Sequence, residues 1–343
     1  MINPKNASFA TFCVSVILLF SQCKQETNKN VVPKIDIAPI EVPITRFEQA
    51  LFKLDTLKLT TEVADLQKRY PNICNVYFEK IMSGAAPHQF VKELPRFLSD
   101  AEVRRVYDTI QNVFKDFTPY QKEINAGFGY YKHYFPTRQI PQVFTFFSMY
   151  AYGITPPSDS TMGIGLDFFL GENHYAYNFI ENLRFQYIRR TLTPQHLVKS
   201  FFERLVLDIS PATHDQRLLD QMLANGRTQY ILEALLPNTP DSIRWAFTQK
   251  QFEWTRDNET RIWAQILKEN LLYSTEIQKI SKLVNPSPNA GGMPPEAPGR
   301  VANYIGYKII ASYMNRHPET TFEQLLKLND AQKILEESKY KPE

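Results

Sequence analysis

The positions of histidine, cysteine and carboxylate residues limit the chemistry this chain can carry. The first pattern to test is a helix with imidazoles at i and i+4 and a glutamate directly after the first. That spacing sets both rings on one face for zinc and leaves a base to activate water. The helix expected over residues 193–208 offers His196-Leu197-Val198-Lys199-Ser200. The first ligand is present, but Leu197 stands at the glutamate position and Ser200 at the second histidine. One imidazole does not hold a catalytic zinc. His88, His133, His174, His214 and His317 show no ligand spacing with one another. The third ligand of such sites comes from a downstream helix, and the stretch Ala224–Tyr230 places Asn225 there. The expectation is no metal, no cofactor and no hydrolysis, with His196 as an ordinary polar-face residue.

Other constellations are weaker. Serine, histidine and aspartate all occur, but no nucleophile elbow does. Gly163-Ile164-Gly165 alone does not make a phosphate-binding loop. Asp159, Asp167 and Glu172 read either as paired carboxylates or as turn caps and strand ends. Glu296 and Arg300 close a Pro/Gly-rich loop over 286–299 and precede a helix from Val301. They either rim a cleft with His196 or mark the entry of a core helix. Gly306 lies inside that helix, where glycine costs about 1 kcal/mol against alanine. Its presence predicts close approach of another backbone.

These residues are positioned by a mostly helical chain. Val103, Val106, Ile110 and Phe114 share one face of a helix expected over 101–117, boxed by Ser99 and Glu102. Thr118-Pro119 opens another helix, with Ile124, Phe128 and Tyr131 in register. Thr193-Pro194 opens the helix of His196. Thr213 and Gln216 box a further helix that ends at Asn225-Gly226 or continues to Leu236. Ile35 to Ile44 alternates like a strand, and Pro39 and Pro43 confine it to an edge or an extended lead-in. Gln142–Tyr152 and Met162–Gly171 read as two strands of a hairpin turning at 156–160, with Gly163 and Gly165 marking a bulge or a close approach. The fold class expected is α+β, mostly helical with a small antiparallel sheet, in a single domain.

The chain has 343 residues, 43% of them hydrophobic, enough for a sizeable core. Its 39 basic and 36 acidic residues leave a net charge of +3 and no basic stripe, so no nucleic-acid partner is expected. Residues 9–21 form an apolar run too short to span a bilayer. It fits the core of a secretory signal and stops at Cys23, ahead of a polar stretch. The leading reading is a lipoprotein signal over 1–22, an acylated Cys23, a tether over 23–34 and a globular domain over 35–343. An ordinary signal peptide and an uncleaved anchor are the alternatives. Gln22 departs from the small residue usual before a lipidated cysteine. With Cys13 removed and Cys23 lipidated, only Cys74 remains, which excludes an intramolecular disulfide.

Several motifs occur in order along the chain. They are Ile40-Glu41-Val42-Pro43-Ile44-Thr45-Arg46-Phe47, Tyr130-Tyr131-Lys132-His133-Tyr134-Phe135-Pro136, Gly163–Gly171, Glu296-Ala297-Pro298-Gly299-Arg300 and Ser338-Lys339-Tyr340-Lys341-Pro342. With the Cys23 start, this set resembles the GldB-type gliding motility lipoproteins over nearly the whole chain. The resemblance implies an envelope protein needed for surface gliding and a distant likeness to zincin peptidases without their metal ligands. It also implies a non-catalytic role in assembling motility or secretion machinery. Its implied partners are those components and, through acylated Cys23, the bilayer. The expected location is the outer membrane, facing the periplasm. An envelope hydrolase using the cleft of His196, Glu296 and Arg300 is the alternative. A lipid or peptide chaperone with an apolar cleft among the aromatics is another.

Overall fold

The computed structural model describes residues 32, 34–82, 87–158, 160–211 and 216–343. Cys23 and the signal region, with Asp159, Thr213 and His214, lie outside these residues. The described chain is mostly helical around a three-stranded sheet, in a single domain. The strands are β1 (Ile44–Arg46), β2 (Gln142–Phe146) and β3 (Thr161–Gly165), in the order β1-β2-β3.

The sheet is parallel throughout, which corrects the antiparallel hairpin expected from the sequence. Ile44 lies opposite Val143, and β2 runs from Gln142 opposite Thr161 to Phe146 opposite Gly165. Parallel neighbours need a crossover, and residues 147–160 supply it. The chain reverses after β2 through Met149 and Tyr150, both at positive φ. It then returns beside β3, where the Thr155 N–H donates to Gly163 O (3.0 Å) and the Gly165 N–H to Gly153 O (2.6 Å). β3 does close an antiparallel pairing, with Ile154 bridging Ile164 and Ser158 bridging Thr161. Its partner is this return segment rather than the aromatic strand. Gly165 is where the return passes closest: a Cβ there would overlap Tyr152 O.

The lead-in over 35–43 pairs with no strand. Its prolines remove ladder donors, and it docks instead on the Thr118–Tyr134 helix. Ile40 N–H donates to Asn125 O (3.0 Å), Val42 N–H to Asn125 Oδ1 (3.1 Å) and Tyr130 Oη to Ile35 O (2.8 Å). The helix over Ala101–Val113 starts from Asp100 rather than Ser99. Asp100 Oδ1 accepts from the Glu102 and Val103 N–H groups at 2.9 and 3.0 Å. Ser99 turns its hydroxyl back to Arg96 O, and Glu102 pairs with Arg105.

The centre of the domain is the crossing of the Leu218–Leu235 and Val301–Arg316 helices. The first passes through Asn225-Gly226 without ending and is capped by Arg217 and Asp220. Gly226 and Gly306 face one another there. A Cβ on Gly226 would lie 2.7 Å from Gly306 O and nearer still to its carbonyl carbon. A Cβ on Gly306 would overlap the Met222 carbonyl. The tight crossing implied by a mid-helix glycine is thus present. Buried polar pairs flank it: Asn225 Nδ2 donates to Asn303 Oδ1 (3.0 Å), and Tyr307 Oη to Glu233 Oε2 (2.5 Å). Arg244 pairs with Glu233 and Asp241 and lies over the Tyr307 ring at 5.2 Å.

Candidate functional site

Thr193 and Pro194 open a 3₁₀ turn over Pro194–His196 that runs into the Leu197–Ile209 helix. His196 is buried there, with Nδ1 2.8 Å from Thr193 Oγ1. One helical turn on, buried Lys199 donates to Glu203 Oε2 at 2.6 Å. Burial, the charge of Lys199 and the more distant charges of Arg190 and Arg300 push the His196 pKa down to about 4, with Glu203 opposing. The ring is therefore neutral at physiological pH, and one of its nitrogens is engaged by Thr193.

This environment does not fit zinc. A divalent cation needs converging anionic or neutral donors, whereas the charges nearest His196 are mostly positive. Ser200, at the second-ligand position, is half-buried, and Asn225, at the third, spends its amide on Asn303. Among the described residues no three histidine, cysteine or carboxylate side chains converge as metal ligands.

The structure brings together two members of the cleft predicted from the sequence. Arg300 reaches His196 through its charge, but its position serves the fold. It sits at φ 71° at the start of the Val301–Arg316 helix, and its N–H donates to Lys282 O (3.0 Å). Its Nη2 donates to Trp245 O (3.1 Å), and its guanidinium lies 5.9 Å from the Phe247 ring centroid. Glu296 is exposed on the preceding loop and is not among the charges that bias His196. Asp167 is buried, and among the described residues no carboxylate is paired with it. Its Oδ2 accepts from the Tyr150 N–H (2.5 Å) and the Ser148 N–H (3.3 Å), holding the reversal after β2. Burial raises its pKa to about 7, and its Oδ1 has no partner.

The concave feature that sequence reading missed begins beside His196. Pro194 and Gln195 form one wall of a cavity of about 460 Å³, and Tyr120, Tyr130 and Ala126 of the Thr118–Tyr134 helix form another. The stretch Leu235–Pro240 closes it, and Glu123 stands at the exposed rim within 3.4 Å of Thr239 Oγ1. The walls are mainly proline, tyrosine and aliphatic residues. Grooves with aromatic walls are surfaces on which extended peptide segments dock in other proteins. A smaller cavity of about 250 Å³ shares the Leu236–Pro240 wall and includes Lys34, which reaches Asn238 Oδ1 at 3.4 Å. Lys34, near the start of the described residues, therefore lies against the groove. The sequence signal was present in Pro119, Pro194, Pro237 and Pro240, each readable as a helix boundary; their convergence was not.

Among protein families, a model described as gliding motility protein GldB matches residues 27–342. The chain matches no curated protein and no solved structure.

Proposed function

From the premise that the chain belongs to the GldB family of gliding motility proteins, we propose that it is a non-catalytic binding component of the gliding apparatus. Membership in this lipoprotein family carries a membrane-anchored envelope location. The finer placement, acylation at Cys23 and an outer-membrane position facing the periplasm, belongs to the proposal. In this reading the groove lined by Tyr120, Tyr130 and Pro194 takes an extended segment of another motility or secretion component. The distant likeness to zincin peptidases is kept as part of the proposal, supported by the helix that opens at His196 where a zinc helix would carry its first ligand.

The observation that carries the non-catalytic reading is the setting of His196: buried, bonded to Thr193 and flanked by cations. An enzyme built on this helix would need the opposite electrostatics. The hydrolase alternative loses support because Arg300 is occupied in the helix start and Glu296 stands apart.

The test fills the groove. Ala126→Trp places an indole between its walls from a half-buried helix position. Cells carrying this variant at normal protein level are expected to stop gliding, whereas Glu296→Ala cells glide normally. Normal gliding with Ala126→Trp, or loss of gliding with Glu296→Ala at normal level, overturns the assignment.

A further inference from the structure

Between Gly171 and Leu192 the chain leaves the main core and packs a small one of its own. Tyr177, Leu183 and Leu192 are buried together, with Ile180 and Ile188 against them. The segment is closed at its base by the Gly171 N–H donating to Leu192 O (2.9 Å). It is pinned by Tyr177 Oη donating to Asp167 O (2.7 Å). It is thus a shaped projection. What it displays is unusual for a surface in water: Phe179 is 84% exposed and Phe185 43%. Phe185 stacks on Tyr187 with ring centroids 5.6 Å apart, and the Arg184 guanidinium lies 5.3 Å from the Phe185 centroid. Arg189 donates to Asn178 Oδ1, bracing the turn that carries Phe179. Over 172–191 the charges are Arg184, Arg189 and Arg190 against Glu172 and Glu181, a net of +1.

The large exposed ring of Phe179 adds little to folding, since burial is what makes a phenylalanine stabilising. Aromatic rings beside arginines on one braced projection match the chemistry of a bilayer interface. There the rings enter the headgroup boundary and the guanidiniums meet phosphates. We propose that the segment over 172–191 is a second membrane contact, with Phe179 and Phe185 inserting among lipid headgroups and the exposed Arg184 facing anionic phosphates. The occupant follows from charge complementarity and from the tether. Ten residues lie between Cys23 and Lys34, so these eleven steps reach at most about 40 Å. Lys34 docks on Asn238, and the segment runs out into Pro194 and Gln195, on the groove that Asn238 also lines. A bilayer held this close is met at an effective concentration in the millimolar range. A second attachment would fix the orientation of the body, which a single point of anchorage leaves free. This inference goes beyond the groove's binding role and does not depend on it, but it rests on the proposed acylation of Cys23.

The test uses the full acylated chain reconstituted in vesicles of brominated phosphatidylcholine and phosphatidylglycerol, with tryptophan as the depth reporter. Phe179→Trp is expected to add blue-shifted emission that the bromolipids largely quench. Leu57→Trp, at a position 93% exposed elsewhere on the surface, adds unquenched emission typical of water. Arg184→Gln in the Phe179→Trp background is expected to weaken the quenching on anionic vesicles and leave it unchanged on phosphatidylcholine alone. Emission from Phe179→Trp that stays water-exposed and unquenched overturns the proposal. Equal quenching at positions 57 and 179 also overturns it, because the contact would then not belong to this segment. Quenching indifferent to Arg184 overturns the headgroup contact.

Discussion

Gly306→Ala tests the architecture at its tightest point. The added methyl has no flexible side chain to displace, because its nearest neighbours are the Met222 carbonyl and, at 3.2 Å, Leu223 N. A Cβ does not settle within 3.0 Å of such atoms, so two helix backbones must part. Overpacking of a close-packed core costs up to about 3 kcal/mol, and alanine returns about 1 kcal/mol of helix propensity. Taken at that upper end, the net expected loss is about 2 kcal/mol, which for a domain of this size lowers Tm by roughly 3 °C. Separation would also stretch the Asn225–Asn303 and Tyr307–Glu233 hydrogen bonds, adding to the loss. Thermal and urea unfolding of wild type, Gly306→Ala and Gly226→Ala measure it. Gly291→Ala is the control, since its new methyl would meet only Lys282 at 3.6 Å; a change within about 0.5 kcal/mol is expected there. A Gly306→Ala protein as stable as wild type would show that the helices do not cross at this distance, and the reasoning would fail.

Further outcomes follow from the buried ionisable groups and can be read from urea midpoints across pH. Burial lifts the Asp167 carboxyl to about 7, so the folded state holds this proton more tightly than the unfolded chain. Its contribution is greatest below about pH 4 and is lost as pH rises towards 7, by roughly 4 kcal/mol at most. Asp167→Asn should lack this dependence, and parallel pH profiles for the two proteins would refute the account of Asp167. His196 has the opposite sign. Its pKa, held near 4, makes the unfolded chain the better proton acceptor, so stability is retained above about pH 6.5 and declines as pH falls towards 4. His196→Gln should lose less stability than wild type over that window; an imidazole titrating near 6.5 by NMR would contradict its burial among cations.

Much of the helical framework was legible because it rests on local periodicity. The faces of Val103, Val106 and Ile110, and of Leu197, Phe201 and Leu205, are buried as their spacing implied. Gly306 announced a crossing, although its partner, Gly226, sits 80 positions away in the numbering and was visible only as a possible helix end. Strand direction was not legible. The turn residues over 156–160 do form a reversal, but the partner depends on a return segment stabilised by Asp167 and by positive φ at Met149 and Tyr150, and non-glycine residues give no hint of that. The cap at Asp100 rather than Ser99 is a one-residue error of the kind that helix ends invite. The groove eluded the sequence for a different reason: its walls come from separate segments, joined by tertiary packing. The environment of His196 is similar, since Arg190 and Arg300 reach it from opposite sides of the chain order.

The central proposal is that the helix opening at His196 does not support metal-dependent hydrolysis. Elemental analysis of the purified protein after equilibration with one equivalent of zinc and gel filtration tests it most directly. The account predicts no retained zinc, and no change in the His196 ring resonances on zinc addition. One zinc per chain, removed by a chelator and lost on His196→Gln, would contradict the account and return the protein to the metallopeptidases.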